Sequence, residues 1–114
     1  MSGDNCRCLC PPFHYTDYDS CHVGVDETEG RYADVSVERC NRCGQRWLRY
    51  HYEVEAYTRS GRWYQVAISE AEAAVVTATT AVAMMCRHRW HFRGGSYFNS
   101  AGDRCEWPID PNHL

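Results

Sequence analysis

An α+β fold, with an antiparallel sheet, one main helix packed across it and a loop-rich N-terminal arm, is what the sequence predicts. Three observations carry this expectation. Apolar and polar side chains alternate through residues 46 to 58 and again through 62 to 68, which is the period of half-buried strands. A stripe of small apolar residues at helical spacing follows directly. Residues 1 to 31 show neither period.

The arm comes first in the chain. Pro11-Pro12 blocks helix, Asp and Ser recur, and Gly24 and Gly30 punctuate the segment. So polar a stretch buries too little apolar surface to order itself unaided. Residues 32 to 39 then alternate, with Ala33, Val35 and Val37 on one face and Asp34, Ser36 and Glu38 on the other, predicting a strand. Beyond Cys43-Gly44, Leu48, Tyr50, Tyr52, Val54 and Ala56 form one face, opposed by Trp47, Arg49, His51, Glu53 and Glu55. Thr58-Arg59-Ser60-Gly61 is a turn, and Tyr64, Val66 and Ile68 return on one side, completing a β-hairpin.

Ser69-Glu70-Ala71-Glu72 has the Ser-x-x-Glu form of a capping box and places a helix start at Ser69. Ala71, Ala74, Val75, Ala78, Val82, Met85 and Cys86 continue the helical spacing to about Arg87 or slightly beyond, within a helical region assigned to 69–93. Residues 94–107 are expected to form a short hairpin, pairing 96–99 with 104–107 around Ala101-Gly102, and 108–114 a tail. The 114 residues suit a single domain with a modest core.

Composition narrows the function classes. Hydrophobic content of 44% and charged content of 24% are those of a globular chain. A formal charge of -3 argues against nucleic-acid binding by bulk electrostatics. The charge is unevenly spread: Asp17, Asp19, Asp26, Glu27, Glu29, Asp34 and Glu38 lie in the first third, and Arg39, Arg42, Arg46 and Arg49 follow. The two regions either dock on one another or stay as separate solvated faces. The start Met1-Ser2-Gly3-Asp4-Asn5-Cys6 has no basic or apolar leader region, and no run approaches a membrane span, so a cytosolic location with no membrane contact is expected.

In a reducing compartment clustered thiols bind metal more often than they pair as disulfides. The even total of 8 cysteines also permits a disulfide framework, but Cys6/Cys8 and Cys8/Cys10 are too close to bridge each other without strain. Cys40-Asn41-Arg42-Cys43-Gly44 sets two thiols three residues apart before a glycine and an aromatic strand. Such spacing turns both sulfurs inward, and glycine lets the backbone fold around an ion. This knuckle resembles the second knuckle of zinc ribbons and, less closely, that of rubredoxin-like sites, over residues 32 to 63. The resemblance implies a tetrahedral thiolate site between two strands. The first knuckle departs from that pattern, since Cys6, Cys8 and Cys10 are spaced C-x-C. The expected ligands are Cys8, Cys10, Cys40 and Cys43, because Pro11-Pro12 fixes the chain just beyond Cys10; Cys6, Cys21 and His22 are the substitutes. Zn²⁺ is the expected metal, with iron the lesser alternative at four thiolates.

Other constellations carry less. Thioredoxin-like chemistry needs the C-x-x-C pair to open a helix, whereas a strand follows here. His51, Glu53 and Glu55 are expected to be the wet side of a sheet. Cys86, His88 and His91 could ligate a metal but fit better as the basic end of a helix. Asp17-x-Asp19 opens no calcium loop, because Cys21 and His22 follow. No phosphate loop, nucleophile elbow or His-Glu-x-x-His helix is present.

The expected role is a non-catalytic zinc-ribbon-like module of a small bacterial-type protein that binds another protein as an inhibitor, immunity protein or adaptor. Tyr15, Tyr18, Arg62, Trp63 and Trp90 are the candidate anchors. Nucleic-acid binding through Arg39, Arg42, Arg46, Trp47 and Arg49 is the alternative, and a metalloenzyme with an open coordination position the second alternative.

Overall fold

A computed structural model of the chain describes residues 6–10, 13–52, 62–95, 102–111 and 114. Among these, six strands form one antiparallel sheet in sequential order: β1 (Tyr18–Asp26), β2 (Ala33–Cys40), β3 (Arg46–Tyr52), β4 (Arg62–Ile68), β5 (His91–Gly94) and β6 (Asp103–Cys105). Helices α1 (Glu70–Val75) and α2 (Ala81–Cys86) lie in the connection from β4 to β5. The fold is therefore α+β with an antiparallel sheet, as the periodicities predict.

The alternation in β2, β3 and β4 divides the sheet into two faces. Ala33, Val35, Val37, Leu48, Tyr50, Tyr52, Tyr64, Val66 and Ile68 form the helix face, where they meet Val76, Ala81, Met84 and Met85. The register, with Val35 opposite Tyr50 and Tyr50 opposite Tyr64, brings this face together. The opposite, arm face holds Trp47, Trp63 and Phe92, and the arm lays Cys8 and Phe13 on them. Phe13 meets the rings of Phe92 and Trp63 edge-on at 4.9 and 5.7 Å. Gly94 is required there: a Cβ on it would lie 2.3 Å from the Trp63 indole.

The structure corrects several expectations. The arm is not wholly loop, because β1 occupies residues 18–26 and pairs with β2 from Tyr18↔Cys40 to Asp26↔Ala33. It is an edge strand with a bulge between His22 and Gly24 and mostly exposed side chains, so no period of two marks it. The one main helix is two short ones. The capping box is present as predicted, with Glu72 N–H donating to Ser69 Oγ and Ser69 N–H to Glu72 Oε1. The helix then stops at Val76, whose backbone is extended. β-branched Val75, Val76 and Thr77 weaken the helix there. Thr77 and Thr80 offer the main chain other partners, Thr77 N–H donating to Thr80 Oγ1 at 2.8 Å and Thr80 N–H to Thr77 Oγ1 at 3.2 Å.

His91 belongs to β5, not to a helix, and β5 pairs with β6 through His91↔Cys105. Residues 96–99, expected in the final hairpin, and the turn at 58–61 lie outside the described residues, as do Glu53 and Glu55. The expected tail contributes Ile109, buried in the helix-face core, with Leu114 packed against it. The supposed wet face is covered too. Trp47, Trp63, Glu38 and Gln65 are buried on it, and Arg49 and His51 are half-buried. Tyr18 and Trp63, named as interface anchors, are therefore core residues, whereas Arg62 is exposed and Trp90 half-buried; the Tyr15 side chain lies outside the described set. No described helix is long and apolar enough to cross a membrane.

Candidate metal centre

Two segments far apart in sequence build the site. The first is the end of β2. Cys40 N–H donates to the Gln45 carbonyl at 3.0 Å, and Gly44 N–H to the Cys40 carbonyl at 2.9 Å, closing a tight turn over Asn41–Cys43. Gly44 has φ +79°, the left-handed region in which a side chain would be strained, so the knuckle needs glycine here. The second segment is the 3-10 turn Arg7–Leu9, closed by Leu9 N–H donating to the Cys6 carbonyl at 3.0 Å. Asn41 fastens the arm to the knuckle, its N–H donating to the Asp17 carbonyl at 2.8 Å and its Nδ2 to the Thr16 carbonyl at 3.2 Å.

Between these segments the Sγ atoms of Cys6, Cys8, Cys40 and Cys43 all lie within 4.8 Å of one another. Cys6 to Cys40 and Cys8 to Cys43 are each 3.5 Å. A disulfide needs about 2.05 Å, and every one of these thiols is free. Four thiolates about 2.3 Å from a central ion stand about 3.8 Å apart. The cluster is thus a group of four sulfurs with the spacing of a tetrahedral metal site, and the donor set fits the ion. Cys8 and Cys40 are buried, Cys6 is half-buried and Cys43 exposed. Leu9, Trp47, Ala67 and Trp90 line a pocket of about 250 Å³ beside Cys8 and Cys43, an apolar wall on one side of the sulfurs.

The electrostatics of the thiols are split. Burial pushes Cys8 far above the ordinary thiol range, and burial also raises Cys43. Cys6 goes the other way, to about 7, chiefly because the Cys8 backbone N–H hydrogen-bonds its sulfur. A buried thiol among thiols does not ionise alone; a cation at the centre is what would hold four thiolates together.

Of the expected set, Cys8, Cys40 and Cys43 lie in the cluster. Cys10 does not; it is exposed and outside the cluster, and Cys6 stands in its place. The turn closed by Leu9 and Cys6 directs Cys6 and Cys8 to the same side, and Phe13 has its own seat on Trp63. Cys21 is exposed on β1, and His22 lies 3.5 Å from Asp34. Cys86, His88 and His91 do not converge: His88 Nε2 meets Glu72 at 2.9 Å and His91 Nδ1 meets the Trp107 carbonyl at 3.1 Å. Among the described residues no other His, Cys, Asp and Glu group gathers closely enough to hold a metal.

The charged surface is also rearranged. Arg46 pairs with Glu70 at 2.7 Å, and Arg49 lies half-buried beside Glu38. Trp47, proposed as a stacking platform, is fully buried. No protein-family model matches the chain, and no curated protein or solved structure matches it either.

Proposed function

We propose that Cys6, Cys8, Cys40 and Cys43 hold a structural Zn²⁺ that staples the arm to the end of β2, and that the chain works as a non-catalytic interaction module. The observation that carries this reading is the convergence of four thiols from two segments within 4.8 Å. Four protein ligands close the coordination sphere and leave no position for a substrate, which is the mark of a structural rather than a catalytic site. Free thiols in this number suit a reducing compartment such as the cytosol.

The interaction role draws on the surface. Tyr32 is 65% exposed at the β1–β2 connection and sits at φ +51°, a costly conformation for an aromatic residue that the hairpin nevertheless holds. Val25 is exposed close by in sequence. An exposed aromatic on a rigid hairpin is the kind of anchor a protein partner uses. Burial of Trp47 and the engagement of Arg46 and Arg49 take away the support that nucleic-acid binding drew from them.

Elemental analysis of protein purified without added metal tests the site. One zinc per chain is expected, retained in Cys10→Ser and lost in Cys6→Ser. Zinc retained without Cys6 but lost without Cys10 would restore the ligand set first expected, and absence of metal would sink the reading. For the interaction role, a stoichiometric partner that co-purifies with the wild type and with Cys10→Ser should be lost in Tyr32→Ala. Retention would move the interface elsewhere.

A further inference from the structure

On the helix face, apart from the Cys6, Cys8, Cys40 and Cys43 cluster, a pocket of about 280 Å³ opens among Tyr64, His91, Arg93, Trp107, Ile109 and Asp110. The sheet assembles it. Tyr64 stands opposite Arg93 in the β4–β5 register, and His91 and Arg93 point to the same face because Phe92 between them belongs to the other.

His91 is only 3% exposed. Its Nδ1 lies 3.1 Å from the Trp107 carbonyl, which can only accept, so Nδ1 carries the proton. Burial, aided by the Arg93 charge, lowers the pKa of the ring and keeps it neutral near pH 7. Nε2 is therefore a bare acceptor, and among the described residues it has no partner. Nε2 is not sealed in the core, so it is open to a hydrogen bond from a ligand donor in place of water. The Arg93 side chain is exposed and makes no ion pair among the described residues, although Asp103 stands opposite it in the β5–β6 register. Tyr64, whose ring centroid is 6.1 Å from that of His91, is held protonated by burial, its pKa raised to about 12. Trp107, 55% exposed, and the buried Ile109 give the pocket an apolar wall.

We propose that this pocket binds a small organic acid that also carries a hydroxyl or amino donor, its carboxylate on Arg93 and its donor on Nε2 of His91. A guanidinium fork matches a carboxylate, and the fixed tautomer of His91 selects a donor rather than a second acceptor. The apolar wall favours a compact, flat body.

Titration of the zinc-loaded full chain with 4-hydroxybenzoate, lactate and serine, and with the methyl ester of each, tests this. The readouts are the ring-nitrogen resonances of His91 and the indole N–H of Trp107. At least one acid should shift both saturably, with its ester weaker by about tenfold or more. Arg93→Gln, a change at an exposed position, should weaken the acid by a similar factor while zinc content and the thermal midpoint stay unchanged. His91→Phe, which keeps bulk but removes the acceptor, should weaken it likewise. No saturable shift with any of the three acids, an ester that binds as well as its acid, or an Arg93→Gln variant that binds like the wild type would each overturn the proposal.

Discussion

On the helix face, Leu48, Val66, Met84 and Met85 meet as apolar surfaces, and water exclusion alone accounts for their association. On the arm face of the same strands, Trp47, Trp63 and Phe92 are covered by an arm whose contributions are Phe13, Tyr18, Leu9 and the thiols of Cys6 and Cys8. That face also encloses Glu38 and Gln65, and Glu38 Oε1, Gln65 Oε1 and Trp47 Nε1 are buried without hydrogen-bond partners among the described residues. The contrast teaches that a single sheet can be closed twice by unlike means. One cover is α2 with Val76 and Ile109, whose apolar side chains pack directly on the sheet. The other is short and polar, and on the proposed reading a metal held by its thiols ties it to the end of β2.

Metal removal should give the largest effect and separate the two covers. Binding of a structural zinc is worth on the order of 10–16 kcal/mol in small peptides, more than any single side chain here. Trp47, Trp63 and Trp90 lie in or against the arm-face cluster, whereas Leu48, Val66 and Met85 report on the other. Chelation should change tryptophan fluorescence while the methyl resonances of Leu48, Val66 and Met85 keep their dispersion. Simultaneous loss of both signals would show that the faces form one cooperative unit.

Truncation on the helix face is expected to be intermediate in size. Leu48 is fully buried, so Leu48→Ala should cost about 2–5 kcal/mol in denaturant unfolding, with zinc content unchanged. A variant that lost zinc as well would erase the distinction between the covers.

The smallest effect concerns the polar filling of the arm face. Burial raises the pKa of Glu38, opposed by the nearby Arg49 and a hydrogen bond from Ser20. The folded state therefore favours the protonated acid. Its stabilising contribution is fully present below the unfolded value of about 4.3 and is lost as pH rises through the higher folded value. Glu38→Gln removes that loss, so the variant should gain on the wild type between pH of about 4 and about 7. Unfolding midpoints at the two pH values measure it, and a relative gain at the acidic end instead would show that Arg49 keeps Glu38 ionised.

How much of this was legible in the sequence follows the same division. The helix face was readable because Leu48-x-Tyr50-x-Tyr52 and Tyr64-x-Val66-x-Ile68 alternate cleanly, and Ser69 with Glu72 marks the helix start in local chemistry. The arm face was not, because its cover is non-local. Arg49 and His51 look solvated until Phe13 and Tyr18 are laid over that face, and no local period announces that event. The knuckle was half legible: Cys40, Cys43 and Gly44 declare a turn by their spacing, whereas the even C-x-C spacing of Cys6, Cys8 and Cys10 does not say which two of them turn inward. The helix break at Thr77–Thr80 was missed because apolar spacing persists through it while threonine hydroxyls compete for the backbone.

The sequential strand order has a kinetic meaning. Each ladder joins strands adjacent along the chain, so the sheet can grow by zipping successive hairpins, without the entropy of closing long loops before any reward. The one long detour is between β4 and β5, which carries both helices. Linking residues 6–8 to 40–43 is a separate closure that spans β1 and β2. It needs only the turn after β2 in place, so on the proposed reading a metal there would latch the arm and the first two strands rather than the whole sheet.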